Sequence, residues 1–492
     1  MPRPARPSRS AGRPGNRTGQ RPTARPGQSP AQHPRGPKRP RPRPKTIDPG
    51  RDAVVAWLSR QAAKWPGLEL RPFESPPGLD GRDAALAHAI ADAVVRRWLT
   101  LEFLINARAS RPLEGMQPGL QAALLAGAAQ IFLLDRVPAY AAIDHAVEYA
   151  KRHVRAGAGD LTNAVLRRLA ELKGERSGEP WRAEADRLPM DGGGSLALRQ
   201  AVLPDDTLAR LGVATSHPRE ILEAWSQRMD TPAVASLALH SLCSAPTVLN
   251  VAHADPARPL PDDLLGPHES KHCRVFRGGR EALLALLSAR SDVWVQDAAS
   301  TLAVRSVADL RPAPRLIVDP CAGQGTKTRQ LAATFPEATI IATDIEPRRL
   351  GILRESFAGN ERVEVMPHTE VHARCAREAD LVLLDVPCTN TGVLARRPEA
   401  KYRYAVRSLG DLARLQRKIF DEAVSLLRPL SGAILYSTCS IEPRENEQQV
   451  EWATTQRGMR ASRLERTMPC GAPEDGPERY SDGSFSVMLT PT

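Results

Sequence analysis

The chain has 492 residues, of which 41% are hydrophobic and 4% aromatic, with a formal charge of +12. That length supports two or three domains with substantial cores. Its seven cysteines show no Cys-x-x-Cys pair and no ordered Cys/His spacing, which argues against a secreted disulfide scaffold or a metal site and fits a reducing cytoplasm.

The positive charge is local. Residues 1–47 hold 13 Lys or Arg, 12 Pro and no acid, leaving 55 basic against 56 acidic residues in the remainder. Such a segment buries too little surface to offset its ordering entropy, so it reads as a disordered basic tail. Its natural attraction is to a polyanion. The prolines argue against an amphipathic transit helix, and no apolar run suits a signal peptide or a membrane span.

Residues 48–175 read as a helical domain. Ala53–Leu58, Ala84–Leu104, Gly119–Leu134, Tyr140–His153 and Asp160–Leu172 are Ala/Leu-rich, with apolar residues three and four apart. Asp160 is placed to cap the last helix. Paired carboxylates and metal-spaced ligands are missing from this stretch, so a binding role suits it better than chemistry. Residues 176–205 turn polar and Gly-rich, as a linker would. A small mixed α/β region follows over 206–290, with a helix near Pro218–Arg228 and a strand near Thr247–Val251.

Residues 291–492 alternate strand and helix. Leu316–Val318, Thr339–Thr343, Val363–Val365, Leu381–Leu384 and Ala433–Tyr436 are short apolar strand candidates. Helical patterns at Thr326–Ala333, Pro347–Phe357, Leu409–Leu427 and Arg444–Thr454 separate or follow them, and Phe485–Leu489 reads as a terminal edge strand. This rhythm predicts an open, mostly parallel sheet with ligands beyond the carboxyl ends of its strands.

At the first strand end, Cys321-Ala322-Gly323-Gln324-Gly325-Thr326-Lys327 forms a glycine-rich turn before a helix. Asp344 ends the second strand, where a carboxylate can accept from ribose hydroxyls. The turn has neither the full dinucleotide fingerprint nor a Walker spacing, so a nucleoside cofactor without a diphosphate, such as S-adenosyl-L-methionine, suits it better. Lys327 could face the cofactor carboxylate, an RNA phosphate or solvent. Cys321 reads as packing rather than chemistry.

Two further strand ends carry Asp385-Val386-Pro387-Cys388 and Ser437-Thr438-Cys439-Ser440. Cytosine C5 is a poor nucleophile until a thiolate adds at C6 and raises its electron density. An acid must then meet N3, and a base must remove the C5 proton. Asp385, Cys388 and Cys439 have the chemistry for this, although local composition does not order the two thiols. The basic stretch 396–407, with Tyr402 and Tyr404, suits phosphate pairing and base stacking.

Asp385-Val-Pro-Cys388, Thr391-Gly392-Val393, Ser437-Thr-Cys439-Ser-Ile441 and Glu445-Asn446-Glu447 together resemble the bacterial RsmB-type 16S ribosomal RNA cytosine-C5 methyltransferases of the NOL1/NOP2/Sun family. Gln296-Asp-Ala-Ala-Ser300 and Ser216-His-Pro218 fit the same pattern. Asp135-Arg-Val-Pro138 and Asn163-Ala-Val-Leu-Arg167 resemble its NusB-type helical domain. The resemblance implies an all-α NusB-like RNA-binding domain, a small mixed region and a Rossmann-like class I S-adenosylmethionine-dependent domain. It implies that Cys439 attacks C6, that Cys388 assists proton removal and release, and that Asp385 contacts the N3 edge. Cys321–Lys327, Asp344, Arg349 and Asp385 become the cofactor set, and Lys327, Arg396 and Lys401 the RNA contacts. The implied partner is 16S ribosomal RNA or a small-subunit assembly intermediate, met by a cytoplasmic monomer with no membrane and no obligate protein partner. A transfer RNA methyltransferase and an inactive RNA-binding assembly protein are the alternatives. The family's Cys-Ala-Ala-Pro-Gly-Gly-Lys-Thr loop is altered here to Cys321-Ala-Gly-Gln-Gly-Thr-Lys-Thr328, and its Gly-Asp-like feature is replaced near Met366–Thr369.

Overall fold

A computed structural model describes residues 48–69, 71–404 and 409–492. The expected tail over 1–47 and the end of the basic stretch, 405–407, lie outside the described residues.

The helical half forms as its periodicity predicts. Pro49–Ala62 starts behind Asp48, whose carboxylate accepts from the Arg51 amide. Pro118–Phe132 is apolar on nearly every face and is buried all round. Ala139–His153 and Ala158–Leu172 pack against it. Asp160 does not cap that last helix: Gly157 holds the cap position, and Asp160 sits in the first turn, where the helix dipole still favours a carboxylate.

The expected single helix over Ala84–Leu104 is two, Gly81–Arg96 and Trp98–Asn106, broken at Arg97. No glycine or proline causes the break. Instead, side chains from elsewhere take over the backbone groups that a continuous helix would pair. The Trp98 amide donates to the Tyr402 hydroxyl at 3.1 Å, and the Leu99 amide to Ser216 Oγ at 2.9 Å. The Arg96 carbonyl accepts from Lys401 Nζ at 2.8 Å and from the Tyr402 hydroxyl at 3.2 Å.

The expected linker is also structured. Lys173–Ser177, Arg187–Pro189 and Ser195–Leu198 make a small antiparallel sheet with the last of these strands central. Leu188, Leu196 and Leu198 complete the core of the helical half. The strands are too short to show an alternating pattern above the surrounding glycines.

The mixed region holds three short helices, Thr207–Thr215, Arg219–Ser226 and Thr231–His240. A four-stranded antiparallel sheet of Leu265–Gly266, Cys273–Phe276, Val248–Asn250 and Trp294–Val295 follows, with helix Arg280–Ala289. The helices share a core with Leu394, Ala400 and Ile441 of the catalytic half.

That half is built on seven strands: β1 (Leu316–Asp319), β2 (Thr339–Ala342), β3 (Val363–Val365), β4 (Leu381–Asp385), β5 (Ala433–Thr438), β6 (Met459–Thr467) and β7 (Ser484–Pro491). Their order is β3-β2-β1-β4-β5-β7-β6, parallel except around β7. This is the expected Rossmann-like sheet. Both faces are covered, so the central strands are apolar up to their carboxyl ends. Val382, Leu384, Ile434 and Tyr436 face one core, and Leu381, Leu383, Ala433 and Leu435 face the other. The terminal strand β7 is not the edge, as its position at the chain end suggested. The edge on that side is β6, whose Arg460, Arg463, Glu465 and Arg466 mask any apolar alternation and suit a solvent-facing rim.

Candidate active site

β4 and β5 are adjacent and parallel, with Asp385 opposite Ser437. Their two motifs therefore leave the sheet at the same end, and the next bond, from the Val386 amide to the Ser437 carbonyl, keeps the exits together. Cys388 and Cys439 meet there with their sulfurs 3.3 Å apart. Cys388 is buried and Cys439 half-buried. Cys439 Sγ lies 3.2 Å from Asn390 Oδ1. Asn390 is held for that contact by a left-handed backbone (φ 62°) and by its own bond from Nδ2 to the Cys388 carbonyl.

The Cys439 sulfur first, then burial, push the Cys388 thiol well above its ordinary range. Of the two sulfurs, the more exposed one is thus also the one that keeps its neighbour protonated.

Asp385 ends β4, three residues before Cys388, and accepts from Lys327 Nζ at 2.8 Å. Burial works against the Lys327 charge, but Asp385, with help from Cys439 and Asp319, holds the ammonium above its usual range. Of the three environments open to Lys327, the structure shows a fourth: a carboxylate of the same site.

The glycine-rich turn lies one strand away. Gly325, at φ 88°, precedes helix Thr326–Thr334, and a Cβ there would come within 2.5 Å of the Phe357 ring. Gly323, at φ 60°, faces open space. Its amide donates to Asp344 Oδ2 at 3.0 Å, while Asp344 Oδ1 accepts from the Glu346 amide at 2.8 Å. Ala322 is tied to the Thr343 carbonyl, and Gly325 to the Ala322 carbonyl. Gln324 and Thr326 are exposed. Arg349, half-exposed, stands 3.8 Å from Asp344 and 3.3 Å from Glu346. Burial pushes the Asp319 carboxyl up to about 7, against a 2.7 Å bond from the Thr328 hydroxyl. Its other oxygen, and the Thr343 hydroxyl, are buried without partners. Open room before Gly323, a carboxylate with spare lone pairs and unspent buried polar atoms fit a nucleoside-bearing group. Cys321 is raised by burial first and then by Asp319, Asp385 and Asp344, which suits packing and opposes thiolate chemistry.

Two expected RNA contacts are corrected. Lys401 is fully buried and donates to the Arg96 and Thr215 carbonyls. Arg396 has all three guanidinium nitrogens engaged, with Asp482 at 2.7 Å, Asp297 at 3.0 Å and the Pro246 carbonyl at 3.1 Å. It lies 5.0 Å over the Tyr480 ring. A run of basic residues looks like a phosphate-binding surface, but here the fold turns these two inward to join domains.

Sequence reasoning missed Gln416, which sits in an ordinary helix pattern yet donates to the Pro387 carbonyl beside Cys388, and Tyr436, whose hydroxyl donates to Gln416. It placed Glu445 and Asn446 in a motif without giving them a task.

Comparison with known proteins bears on the family and the fold. A family profile described as 16S rRNA methyltransferase RsmB/F matches residues 308–472, and one described as NusB family matches residues 67–171. The chain is 30% identical over 388 residues to ribosomal RNA small subunit methyltransferase B of Xanthomonas campestris, covering 76% of this chain and 80% of that protein. It is also 30% identical over 392 residues to the protein of the same name from Vibrio cholerae, covering 75% and 81%. The crystal structure of PH0851 superposes with a TM-score of 0.65 at 17% identity, over 91% of this chain and 99% of that one. That last likeness speaks for the fold.

Proposed function

Because the chain belongs to the RsmB/F family of 16S rRNA methyltransferases, enzymes of S-adenosylmethionine-dependent cytosine-C5 methylation, we propose that it methylates 16S ribosomal RNA through a covalent bond between Cys439 and cytosine C6. The observation that carries this reading is the pair of sulfurs 3.3 Å apart beside the Asp385–Lys327 ion pair. S-adenosylmethionine, when bound, supplies an electrophilic methyl group. Gly323, the turn Cys321–Lys327 and Asp344 would hold it, with Arg349 at the rim.

Cys439 is the sulfur open to a substrate and adds to C6 as its thiolate. Asp385, oriented by Lys327, meets the N3 edge of the ring and steadies the charge that addition creates. Cys388, raised by the neighbouring sulfur and by burial, stays protonated through the addition step. Once the Cys439 sulfur is spent in the adduct, the Cys388 thiol is free to give its own proton to solvent and become a thiolate. It then takes the C5 proton, so that the C6–S bond breaks and the methylated base leaves.

The helical NusB-like half and the basic segment 1–47 supply RNA affinity in this reading, and the protein acts as a cytoplasmic monomer. Convergence of both thiols, Asp385 and Lys327 at one end of the sheet favours an enzyme over a catalytically inactive assembly protein. Mapping 5-methylcytosine in total RNA with and without the gene is the test. Loss of one 16S site supports the assignment, and loss of a transfer RNA site instead moves the substrate.

A further inference from the structure

Two consecutive residues, Glu445 and Asn446, lie just before helix Glu447–Arg457 and are fully buried. Each grips the residues on both sides of one cysteine. The Glu445 carboxylate accepts from the Thr389 amide at 3.0 and 3.2 Å, from the Thr389 hydroxyl at 2.6 Å and from Gln416 Nε2 at 3.2 Å. Gln416 Nε2 also donates to the Pro387 carbonyl at 3.0 Å. Cys388 is thereby held from position 389 directly and from position 387 through Gln416. Asn446 Oδ1 accepts from the Thr438 hydroxyl at 2.6 Å, and its Nδ2 donates to the Ser440 carbonyl at 2.8 Å. Cys439 is held from positions 438 and 440.

The two grips are joined. The Tyr436 hydroxyl donates to the Glu445 carbonyl at 2.7 Å. Ser440 Oγ lies 3.1 Å from the Thr389 hydroxyl and 3.2 Å from that of Thr391. Burying a carboxylate and an amide together is costly unless every bond is made. A simple packing role would be served more cheaply by apolar side chains.

We propose that Glu445 and Asn446 are positioning residues that register the two thiols, Glu445 serving the release step of Cys388 and Asn446 the addition step of Cys439. This deepens the assignment above and rests on it for the naming of the steps. A misplacement of about 1 Å at a reacting atom can cost on the order of a hundredfold in rate, so the effect is large enough to measure.

The experiment uses the full-length protein, S-adenosylmethionine and transcribed 16S ribosomal RNA. Asn446→Ala should slow formation of the covalent RNA adduct about tenfold or more. Glu445→Gln should leave adduct formation within about twofold but let the adduct accumulate, as loss of Cys388 would. Thr438→Val and Thr389→Val remove one partner hydroxyl each and should reproduce the two defects in milder form, which covers the case of a variant that fails to fold. A second readout needs no RNA: treatment with diamide removes two protons and two electrons from the thiol pair and forms one S–S bond. That closure should be fast in the parent and at least about fivefold slower in both clamp variants. Equal loss of both steps, or parental rates in adduct and diamide assays alike, overturns the proposal. If Cys388→Ala protein, in which release is blocked, forms no adduct while the diamide arm behaves as expected, the clamp stands and the assigned RNA chemistry fails.

Discussion

The sulfurs of Cys388 and Cys439 face each other at 3.3 Å from turns that follow two paired parallel strands. Their unequal exposure divides the labour between them. Cys439→Ala should abolish methylation, with cofactor binding retained. Cys388→Ala should instead leave RNA bound to protein as a band that survives denaturing electrophoresis. A Cys388→Ala enzyme that turns over normally would remove the release role.

Lys327 is the cation that Asp385 keeps. Lys327→Met should lower kcat by about a hundredfold, because the charge next to the reacting ring is lost from a site shielded from water. KM for S-adenosylmethionine should change far less. A defect confined to KM would return Lys327 to a cofactor-binding role.

Gly325 adopts φ 88° with the Phe357 ring 2.5 Å from where a Cβ would stand. Gly325→Ala should cost about 1–3 kcal/mol of stability, measured by urea unfolding, through backbone strain and overpacking together. Gly323→Ala meets no atoms and should cost about 1 kcal/mol. Its new methyl projects into the open space before the turn, so calorimetry should find weaker binding of S-adenosylhomocysteine.

Lys401 supplies bonds to the Arg96 and Thr215 carbonyls inside the protein. Lys401→Ala should lower stability by about 1–3 kcal/mol as these acceptors lose a donor. The dependence of RNA affinity on salt should keep its slope. A phosphate contact would instead reduce that slope by about one counterion.

Burial, with Glu114 adding to it, raises the Glu102 carboxyl to about 7. The folded protein thus binds a proton more tightly than the unfolded chain, whose Glu ionises near 4.5. Stability is full below that lower value and declines as pH rises through about 7. Glu102→Gln should match the parent near pH 4 and exceed it at pH 8 by about 1–3 kcal/mol, read from urea midpoints.

The parallel strands and their cofactor turn were legible because the strands are short runs rich in Val, Ile and Leu, and β1, β2, β4 and β5 each end on or just before an Asp or a Cys. Asp344, Cys388 and Cys439 could be named on those grounds, with the thiol order supplied by resemblance. What stayed hidden depends on residues far apart in the chain. Nothing local marks Arg97 as a helix break, since its cause sits at Ser216, Lys401 and Tyr402. Arg396 and Lys401 read as surface charge, because burial of a cation is decided by carbonyls and carboxylates that only the fold assembles. The small sheet over 173–198 and the charged edge strand β6 lacked the apolar alternation on which strand recognition relies.

The break at Arg97 carries a consequence for how this protein can be taken apart. The amides of Trp98 and Leu99 and the carbonyl of Arg96 find their partners some hundred to three hundred positions later in the chain. Cut at the junction, the amino-terminal half would have to straighten its bent helix or hydrate the bend. The carboxyl-terminal half would expose Lys401 and Tyr402 to water. Neither fragment would be a faithful copy of its part in the whole, so the two halves should melt in one cooperative transition, and grafting this helical module onto a foreign catalytic partner would require carrying residues 401 and 402 with it.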